Sequence, residues 1–209
     1  RVVVVDWEEY QKDPRFIWVE DTTVAIQQLA KLHAKSMPCK KIMVGGSNGK
    51  TTTKEVTRTI LEGLGNTLAT PGNWNNHIGV PLTLLSLRPE HEFAVIEMGT
   101  NHPGEMSVLC DLISTDIGII TNIGKEHLEG FGSIEAIAKE ESEVFASVIK
   151  HNGKGIVNLD DPWLDSMSKR LKNVTTISLI NPQAQCYAEI KAEMPELQFD
   201  FYFDGSNIG

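Results

Sequence analysis

Short apolar runs recur along the chain, separated by stretches in which apolar positions follow a helical period. Five of the runs are predicted to be strands, and the first three are typical of buried strands, because they are apolar at most consecutive positions rather than at alternate ones. The five runs cover residues 41–45, 93–98, 118–121, 155–159 and 174–179. Strands of this kind that alternate with helices predict an α/β fold, in which a mostly parallel sheet carries helices on both faces.

Four helices are predicted around these strands. The first follows a cap at Asp21 and places Val24, Leu29 and Leu32 near one apolar stripe, which we expect to be buried. The others cover residues 50–64, residues 133–150 and a short stretch opened by Asp161 and Pro162.

The helix over residues 133–150 is predicted to be continuous. Ser133 is its expected N-terminal cap, and Gly153 is its expected stop signal. The apolar residues between them keep a helical spacing throughout, so nothing in the pattern indicates a break.

The two ends of the sequence depart from the α/β pattern. Residues 2–5 predict a lone strand with no partner strand nearby. Residues 186–192 and 197–203 alternate between apolar and polar positions around a Met-Pro-Glu turn, which is typical of an antiparallel hairpin. We therefore expect a small antiparallel sheet near the C-terminal end.

Charge and cysteine content exclude several classes of protein. Nineteen basic and 28 acidic residues give a net charge of −9, and no basic run interrupts that acidity. Nucleic-acid binding is not expected, because it needs a concentrated basic surface. Three widely spaced cysteines favour a reducing compartment. No apolar run reaches the roughly 20 residues of a membrane span, so a soluble cytoplasmic protein without membrane insertion is expected.

A glycine-rich segment separates the first buried strand from the next helix, as in phosphate-binding loops. Its glycines let backbone N–H groups approach phosphate oxygens, Lys50 supplies a cation, and the Thr51 hydroxyl can bind Mg²⁺. The strict pattern G-x-x-x-x-G-K-[ST] fails at its first position, where Val44 stands. The alternative is an ordinary glycine-rich turn with an exposed lysine. The residues expected to bind nucleotide are Gly46, Ser47, Asn48, Gly49, Lys50, Thr51 and Thr52.

Two further polar residues come at or after predicted strands. Glu97 lies near the end of the apolar run 93–98, and His127 follows the run 118–121 by a few residues. The carboxyl ends of parallel strands face bound ligands, so both are candidates for a metal site. A glutamate that simply reaches solvent and a surface histidine are the alternatives.

Four segments together resemble the Mur ligase family. They read GSNGKTTTKE from Gly46, TPGNWNNHIGVPLTLL from Thr70, VIEMGTNHPGE from Val95 and HLEGFGS from His127. Their order and spacing also match, and the resemblance runs from about residue 18 to the end of the chain. The asparagine-rich segments indicate the branch that joins D-Ala-D-Ala to UDP-MurNAc-tripeptide, rather than the folylpolyglutamate synthases, which share the phosphate loop.

The resemblance implies an enzyme of three domains, of which this chain resembles the central ATPase. Residues 1–20 would be the linker or tail of an N-terminal UDP-binding domain, and residues 21–209 the central ATP-binding domain, cut before its last part. The N- and C-terminal domains of the same chain would be its partners. The implied reaction, in peptidoglycan precursor synthesis, uses ATP and Mg²⁺ to convert a carboxylate to an acyl phosphate, which the D-Ala-D-Ala amine then attacks.

The family's functional residues transfer by motif position. Lys50 would hold the β and γ phosphates, Thr51 and Glu97 a first Mg²⁺, and His127 a second. Residues 73–77 would line the site for ATP phosphate or the UDP substrate, although turn-forming asparagines are the alternative. The residues implied near the substrate are Asn75, Asn76, Asn101 and His102.

One position departs from the family pattern. Mur ligases usually carry a carbamylated lysine that helps to hold the second Mg²⁺, and the aligned segment here, AKEESEVF, has Glu141 in its place. We predict that Glu141 supplies this carboxylate directly, as a metal ligand. The alternative is that Glu141 is one charge in a solvated patch with Glu140 and Glu143.

Two other functions fit parts of the sequence. Another Mur step or a polyglutamylating ligase would keep this domain and change the substrate, which the missing domains largely select. A nucleotide-binding switch is a different class of protein. The sequence has no Asn-Lys-x-Asp segment that would read guanine, and a switch would not explain the other three segments.

Overall fold

The computed structural model describes residues 3–125, 128–192 and 196–209. The strands within these residues are β1 Val3–Val5, β2 Phe16–Trp18, β3 Lys40–Gly45, β4 Thr67–Ala69, β5 Phe93–Glu97, β6 Ile117–Ile120, β7 Lys154–Asn158, β8 Val174–Ser178, β9 Cys186–Ala192, β10 Gln198–Phe203 and β11 Ser206–Asn207. The α-helices are α1 Thr22–Ser36, α2 Lys50–Glu62, α3 Gly79–Leu85, α4 Glu105–Asp111, α5 Leu128–Phe131, α6 Ile134–Glu141, α7 Glu143–Lys150 and α8 Pro162–Ser168.

One sheet of nine strands organises the molecule, in the order β11-β10-β9-β8-β7-β6-β3-β5-β4. Its strands from β4 across to β9 pair in parallel. Strands β10 and β11 extend it as antiparallel neighbours. The predicted mostly parallel sheet and the predicted C-terminal hairpin are both confirmed.

Helices cover both faces of the sheet, as expected. Along β3, successive side chains point to opposite faces. Met43 joins the larger core cluster, which packs against α1, α3, α4 and α6 to α8. Val44 joins a smaller cluster with Ile42 and Val95, against which Leu61 of α2 packs. The parallel strands are therefore apolar on both sides, which explains their continuous apolar sequence.

Helix α1 begins as predicted but buries a different face. The Asp21 carboxylate caps it by accepting hydrogen bonds from the N–H groups of Thr23 and Val24. The predicted stripe is wrong, because the side chains of Val24, Leu29 and Leu32 are 46%, 57% and 68% exposed. The small residues Ala30 and Ala34 are buried instead, and α1 packs closely against α3.

The predicted helix over residues 133–150 is two helices, so the expectation of one continuous helix is wrong. Helices α6 and α7 meet at Ser142, whose hydroxyl donates a hydrogen bond to the Lys139 carbonyl. The Ser133 cap is confirmed by its hydrogen bond from the Ala136 N–H. Helix α7 ends at Lys150, shortly before Gly153, and the residue in the left-handed conformation is Asn152.

The N-terminal strand has a partner, contrary to the prediction. Strand β1 pairs in parallel with β2, and the two form a separate small sheet. The Asp6 carboxylate accepts hydrogen bonds from the hydroxyl and the N–H of Thr22, which connects this sheet to the start of α1. Among the helices that the structure describes, none has the length and apolar character needed to cross a membrane.

Candidate functional site

The glycine-rich loop lies where the strand order of the sheet reverses. Strand β3 has β5 on one side and β6 on the other, and parallel sheets bind ligands at such a point, beyond their carboxyl ends. Gly46 and Gly49 have φ angles of 110° and 81°. A side chain on Gly46 would collide with Thr121, so the close approach of the loop to the end of β6 requires glycine.

Ser47 and Asn48 fix the loop to the segment that follows β6. Ser47 is buried, and its hydroxyl accepts a hydrogen bond from the Gly124 N–H at 2.7 Å. The Asn122 side chain bonds both backbone groups of Asn48, with distances of 3.2 and 2.9 Å. The loop is therefore held in shape by hydrogen bonds to the segment that follows β6.

The first turn of α2 presents the predicted cation. The Lys50 ammonium donates hydrogen bonds to the carbonyls of Gly46 and Ser47, at 2.6 and 2.8 Å. The ammonium therefore lies against the glycine-rich loop, where it is expected to bind phosphate. Thr51 and Thr52 are exposed on the same turn.

Thr51 and Glu97 meet, as the sequence predicts. Glu97 ends β5 and is 1% exposed. Its Oε1 accepts hydrogen bonds from the Thr51 hydroxyl at 3.2 Å and from the Asn75 amide at 2.8 Å. Its Oε2 is buried without a hydrogen bond in the part of the chain that is described. A hydroxyl and a carboxylate are the hard oxygen ligands that Mg²⁺ prefers, so this pair fits the expected metal.

Glu141 lies against the glycine-rich loop rather than in a solvated patch. It is 4% exposed, and its Oε2 accepts a hydrogen bond from the Gly46 N–H at 2.6 Å. Its role as a metal ligand stays a prediction. His127, the other predicted ligand of the second Mg²⁺, lies outside the described residues, and among those described no group of three or more acidic, histidine or cysteine side chains could hold a metal.

Glu140, which precedes Glu141 on helix α6, is a second buried carboxylate that contacts a loop. It is 8% exposed, and its two carboxylate oxygens accept hydrogen bonds from the N–H groups of Gly104 and Met106, at 2.8 and 2.7 Å. At the end of α6, Glu141 therefore contacts the glycine-rich loop, and Glu140 contacts the loop before α4.

Asn101 and His102 lie in that second loop and are exposed. Their N–H groups donate hydrogen bonds to Glu105 at 2.7 and 3.2 Å. Burial acts to raise the pKa of Glu105, but these hydrogen bonds outweigh it and lower the pKa below its usual range. Asn101 and His102 line an open groove of about 640 Å³, together with Leu128, Glu129 and Gly130. The groove is large enough for part of a small-molecule substrate.

The asparagines of residues 73–77 have structural contacts. The Asn76 side-chain oxygen accepts hydrogen bonds from the N–H groups of Ile78 and Gly79, at 3.1 and 2.9 Å, and so helps to begin α3. The Asn75 carbonyl accepts one from the Gly99 N–H at 2.9 Å. The turn-forming alternative therefore describes Asn76 well, whereas the Asn75 amide lies on the candidate metal ligand. Substrate binding by either residue stays a prediction.

Sequence reasoning missed three residues: Lys54, whose ammonium donates hydrogen bonds to the Thr70 and Gly72 carbonyls, Thr70, whose hydroxyl accepts one from the Glu97 N–H, and Glu140. Lys54 follows Thr51 by three residues, which places both on one side of α2, and this spacing was the available signal. Glu140 and Glu141 follow the buried residues Ile137 and Ala138 by three residues each, so their positions on the inward face of α6 could have been recognised. Nothing in the local sequence indicates the role of Thr70.

Comparison with known proteins gives consistent matches. The model of the Mur ligase middle domain matches residues 44–208. A curated relative, UDP-N-acetylmuramoyl-tripeptide--D-alanyl-D-alanine ligase of Escherichia coli (strain K12), is 44% identical over 151 residues, which cover 72% of this chain and 33% of the relative. The chain spans about a third of the length of the curated relatives that it matches.

Solved structures show the same fold. A crystal structure of MurF from Acinetobacter baumannii has a TM-score of 0.87 and 31% identity, and covers 98% of this chain and 45% of that one. MurF ligase from Thermotoga maritima in complex with ADP has a TM-score of 0.89 and 26% identity, with 99% and 48% covered. Escherichia coli FolC, in complex with DHPP and ADP, has a TM-score of 0.64 at 12% identity, a likeness of fold alone.

Proposed function

Because the chain belongs to the Mur ligase family, whose middle-domain model it matches, we propose that it forms the ATP-binding centre of an amide ligase. The observation that carries the proposal is the contact of Thr51 with Glu97 beside the glycine-rich loop, at the point where the strand order reverses. The ADP in the Thermotoga maritima relative supports the choice of nucleotide.

We assign the phosphate site to the loop residues 46–49, Lys50 and Thr52. Backbone N–H groups and the Lys50 ammonium would hold the phosphates of ATP. Thr51 and Glu97 would hold Mg²⁺, with His127 and Glu141 as further ligands by family position. When bound, the metal neutralises charge on the phosphates.

The proposed reaction joins the substrates of the related UDP-N-acetylmuramoyl-tripeptide--D-alanyl-D-alanine ligases, through an acyl phosphate. The carboxylate of UDP-MurNAc-tripeptide attacks the γ-phosphorus of ATP, and ADP leaves. The D-Ala-D-Ala amine then attacks the acyl carbon, phosphate leaves, and the amine loses a proton. Asn75, Asn101 and His102 are assigned to the substrate side, since the groove beside Asn101 and His102 is open.

The proposal extends to the organisation of the whole protein. Residues 21–209 form most of a central ATP-binding domain, and residues 1–20 form the tail of an N-terminal UDP-binding domain. A C-terminal domain of the same protein completes the nucleotide site. The reaction uses cytoplasmic precursors, so a cytoplasmic location belongs to the same proposal.

Calorimetry with Mg·ATP tests the nucleotide site. The unsubstituted protein is expected to bind in the presence of Mg²⁺ and at least tenfold more weakly without it, and Lys50→Ala is expected to abolish binding. Lys40→Ala is the matched control, because Lys40 is an exposed lysine that begins β3, at the end away from the loop. Equal binding by the Lys50→Ala and Lys40→Ala proteins would contradict the assignment.

The substrate is tested on the intact protein with ATP, UDP-MurNAc-tripeptide and D-Ala-D-Ala. The expected products are the UDP-linked pentapeptide, ADP and phosphate, detected by mass spectrometry. Glutamate addition to a folate, with no pentapeptide formed, would instead indicate the polyglutamylating alternative.

A further inference from the structure

Lys54 is the most deeply buried cation near the site, with 0% of its side chain exposed. It lies on α2, one turn after Lys50 and three residues after Thr51. Its ammonium donates hydrogen bonds to the carbonyls of Thr70 and Gly72, at 2.9 and 2.8 Å. A buried charge is tolerated only when such partners compensate its lost hydration.

Two carboxylates complete the surroundings of this ammonium. Glu55 Oε1 is 3.0 Å from the Lys54 nitrogen, and Glu97 Oε2 is 3.6 Å from it. This Glu97 oxygen is the one that is buried without a hydrogen bond among the described residues. The ion pair with Lys54 is therefore the polar contact that the structure gives to Glu97 Oε2.

The backbone segment that Lys54 holds also contacts Glu97. The Thr70 hydroxyl accepts a hydrogen bond from the Glu97 N–H at 2.9 Å. Further along the same segment, the Asn75 amide bonds Glu97 Oε1. Lys54 thus acts on Glu97 in two ways, directly through Oε2 and indirectly through residues 70–75.

We infer that Lys54 is a positioning residue for the candidate metal ligand Glu97. Its ammonium holds Glu97 Oε2 and the carbonyls of Thr70 and Gly72, and this leaves Oε1 directed towards Thr51. The inference rests on the proposed function, because it takes Glu97 as the ligand of Mg²⁺. Lys54 is buried next to the Glu97 carboxylate, and its role is to fix the orientation of the Glu97 side chain.

A second buried lysine provides a matched control. Lys41 is 5% exposed, and its ammonium also donates hydrogen bonds to two backbone carbonyls, those of Met37 and Cys39, at 2.8 and 3.1 Å. It lies near the beginning of β3, whereas the phosphate loop follows the end of that strand. Replacing Lys41 therefore removes a similar buried cation away from the site.

The test compares Lys54→Met with Lys41→Met in the intact protein. Calorimetry at several Mg²⁺ concentrations gives the Mg²⁺ concentration for half-maximal nucleotide binding. Thermal unfolding of the metal-free proteins gives the stability lost by each. Both variants are expected to unfold at lower temperature. Only Lys54→Met is expected to raise the half-saturating Mg²⁺ concentration, by about tenfold, as when residues that orient metal ligands are replaced.

An unchanged Mg²⁺ requirement in Lys54→Met would overturn the inference, because Lys54 would then support the fold alone. If instead the unsubstituted protein bound nucleotide without any dependence on Mg²⁺, the proposed function itself would be wrong. The two failures are thus distinguished by which protein shows them.

A measurement on the unsubstituted protein keeps the inference testable if Lys54→Met does not fold. Buried, hydrogen-bonded ammonium groups exchange slowly with water and give resolved nitrogen NMR signals. Addition of Mg²⁺ and ADP is expected to shift the Lys54 signal and to leave the Lys41 signal in place. A Lys54 signal that does not move while other signals show that Mg²⁺ and ADP bind would overturn the inference; no shift of any signal would contradict the proposed function.

Discussion

At the scale of single residues, Glu97 and Glu141 show two ways of holding a buried carboxylate. Glu97 is surrounded by side chains, namely the Thr51 hydroxyl, the Asn75 amide and the Lys54 ammonium. Glu141 accepts a hydrogen bond from a backbone N–H of the loop itself, that of Gly46. The orientation of Glu97 therefore depends on its neighbours, while Glu141 is bound to the shape of the loop.

This difference leads to a prediction for Glu141→Gln. The amide keeps an oxygen for the Gly46 N–H, so the loop and the free energy of unfolding should change little, by about 1 kcal/mol or less. The lost negative charge should weaken Mg²⁺-dependent nucleotide binding about tenfold. Calorimetry at several Mg²⁺ concentrations measures it, with Glu143→Gln on the same acidic stretch as control. The same metal dependence in both variants would rule out Glu141 as a ligand.

Residue-level chemistry was predictable where a motif fixes it. Gly46, Lys50 and Thr51 follow from the loop pattern, and Glu97 follows from its place at a strand end. The spacing of Lys54 after Thr51 indicated its side of α2, but its contact with Thr70, 16 residues further along the chain, and the contact of Thr70 with Glu97 were not predictable. Only the fold brings these groups together, and no local pattern records that.

At the scale of elements, the N-terminal caps of α1 and α8 differ in their surroundings. Each is an aspartate with one oxygen that accepts two helix N–H groups. Asp21 is exposed, whereas Asp161 is 8% exposed and its other oxygen accepts a hydrogen bond from the Ile123 N–H at 2.7 Å. Asp161 therefore joins α8 to the segment after β6, in addition to capping the helix.

We expect Asp161→Ala to lower the free energy of unfolding by about 3 kcal/mol, and Asp21→Ala by about 1 kcal/mol. The larger loss has a physical cause, since the Ile123 N–H is buried and would lose its acceptor. Urea unfolding of the two variants measures the difference. Equal losses would show that the bond to Ile123 contributes nothing to stability.

Elements with an unbroken apolar run or a clear cap were the ones predicted, including the short elements β1, β6 and α8. Strands β3, β5 and β7 and helix α2 were found to within a few residues. Strands β2 and β4 have three residues each, and helices α3 and α4 have seven, too few to establish a period. The break at Ser142 escaped prediction because the apolar positions continue across it.

At the scale of the whole molecule, the sheet separates two cores of different size. Ile96 belongs to the larger cluster, which several helices cover, and Ile42 to the smaller cluster, against which α2 packs. Both side chains are buried, at 0% and 3% exposed. Among the described residues, the smaller cluster has fewer neighbours on its outer side.

This asymmetry predicts different costs for the same change. Ile96→Val should lower the free energy of unfolding by about 1.5 kcal/mol and Ile42→Val by about 0.5 kcal/mol, since the thinner cluster can relax around a lost methylene. Urea unfolding measures the free energy of unfolding of both variants. The slope of that free energy with urea concentration should be the same as in the unsubstituted protein. A larger loss for Ile42→Val would contradict the expected order.

The class of the whole fold was predictable, but the strand order was not. Alternating apolar strands and helices lead directly to a parallel sheet with two covered faces. Strand β3 lies between β5 and β6 because of the faces of the sheet on which the connecting helices pack. The sequence does not indicate the face on which each helix packs. The phosphate loop and Glu97 were nevertheless placed together from sequence, because both were assigned to the carboxyl ends of parallel strands; their roles stay predictions.

The adjoining carboxylates of Glu140 and Glu141 have a consequence for protein engineering. One helix end holds the loop at Gly46 and the loop at Gly104, so the two loops share a single support. A chimaera that imports the loop around Gly104 from a related protein should therefore import α6 with it. Transplanting the loop alone would disturb the bonds of Glu140 to Gly104 and Met106 and, through the same helix end, the bond of Glu141 to Gly46.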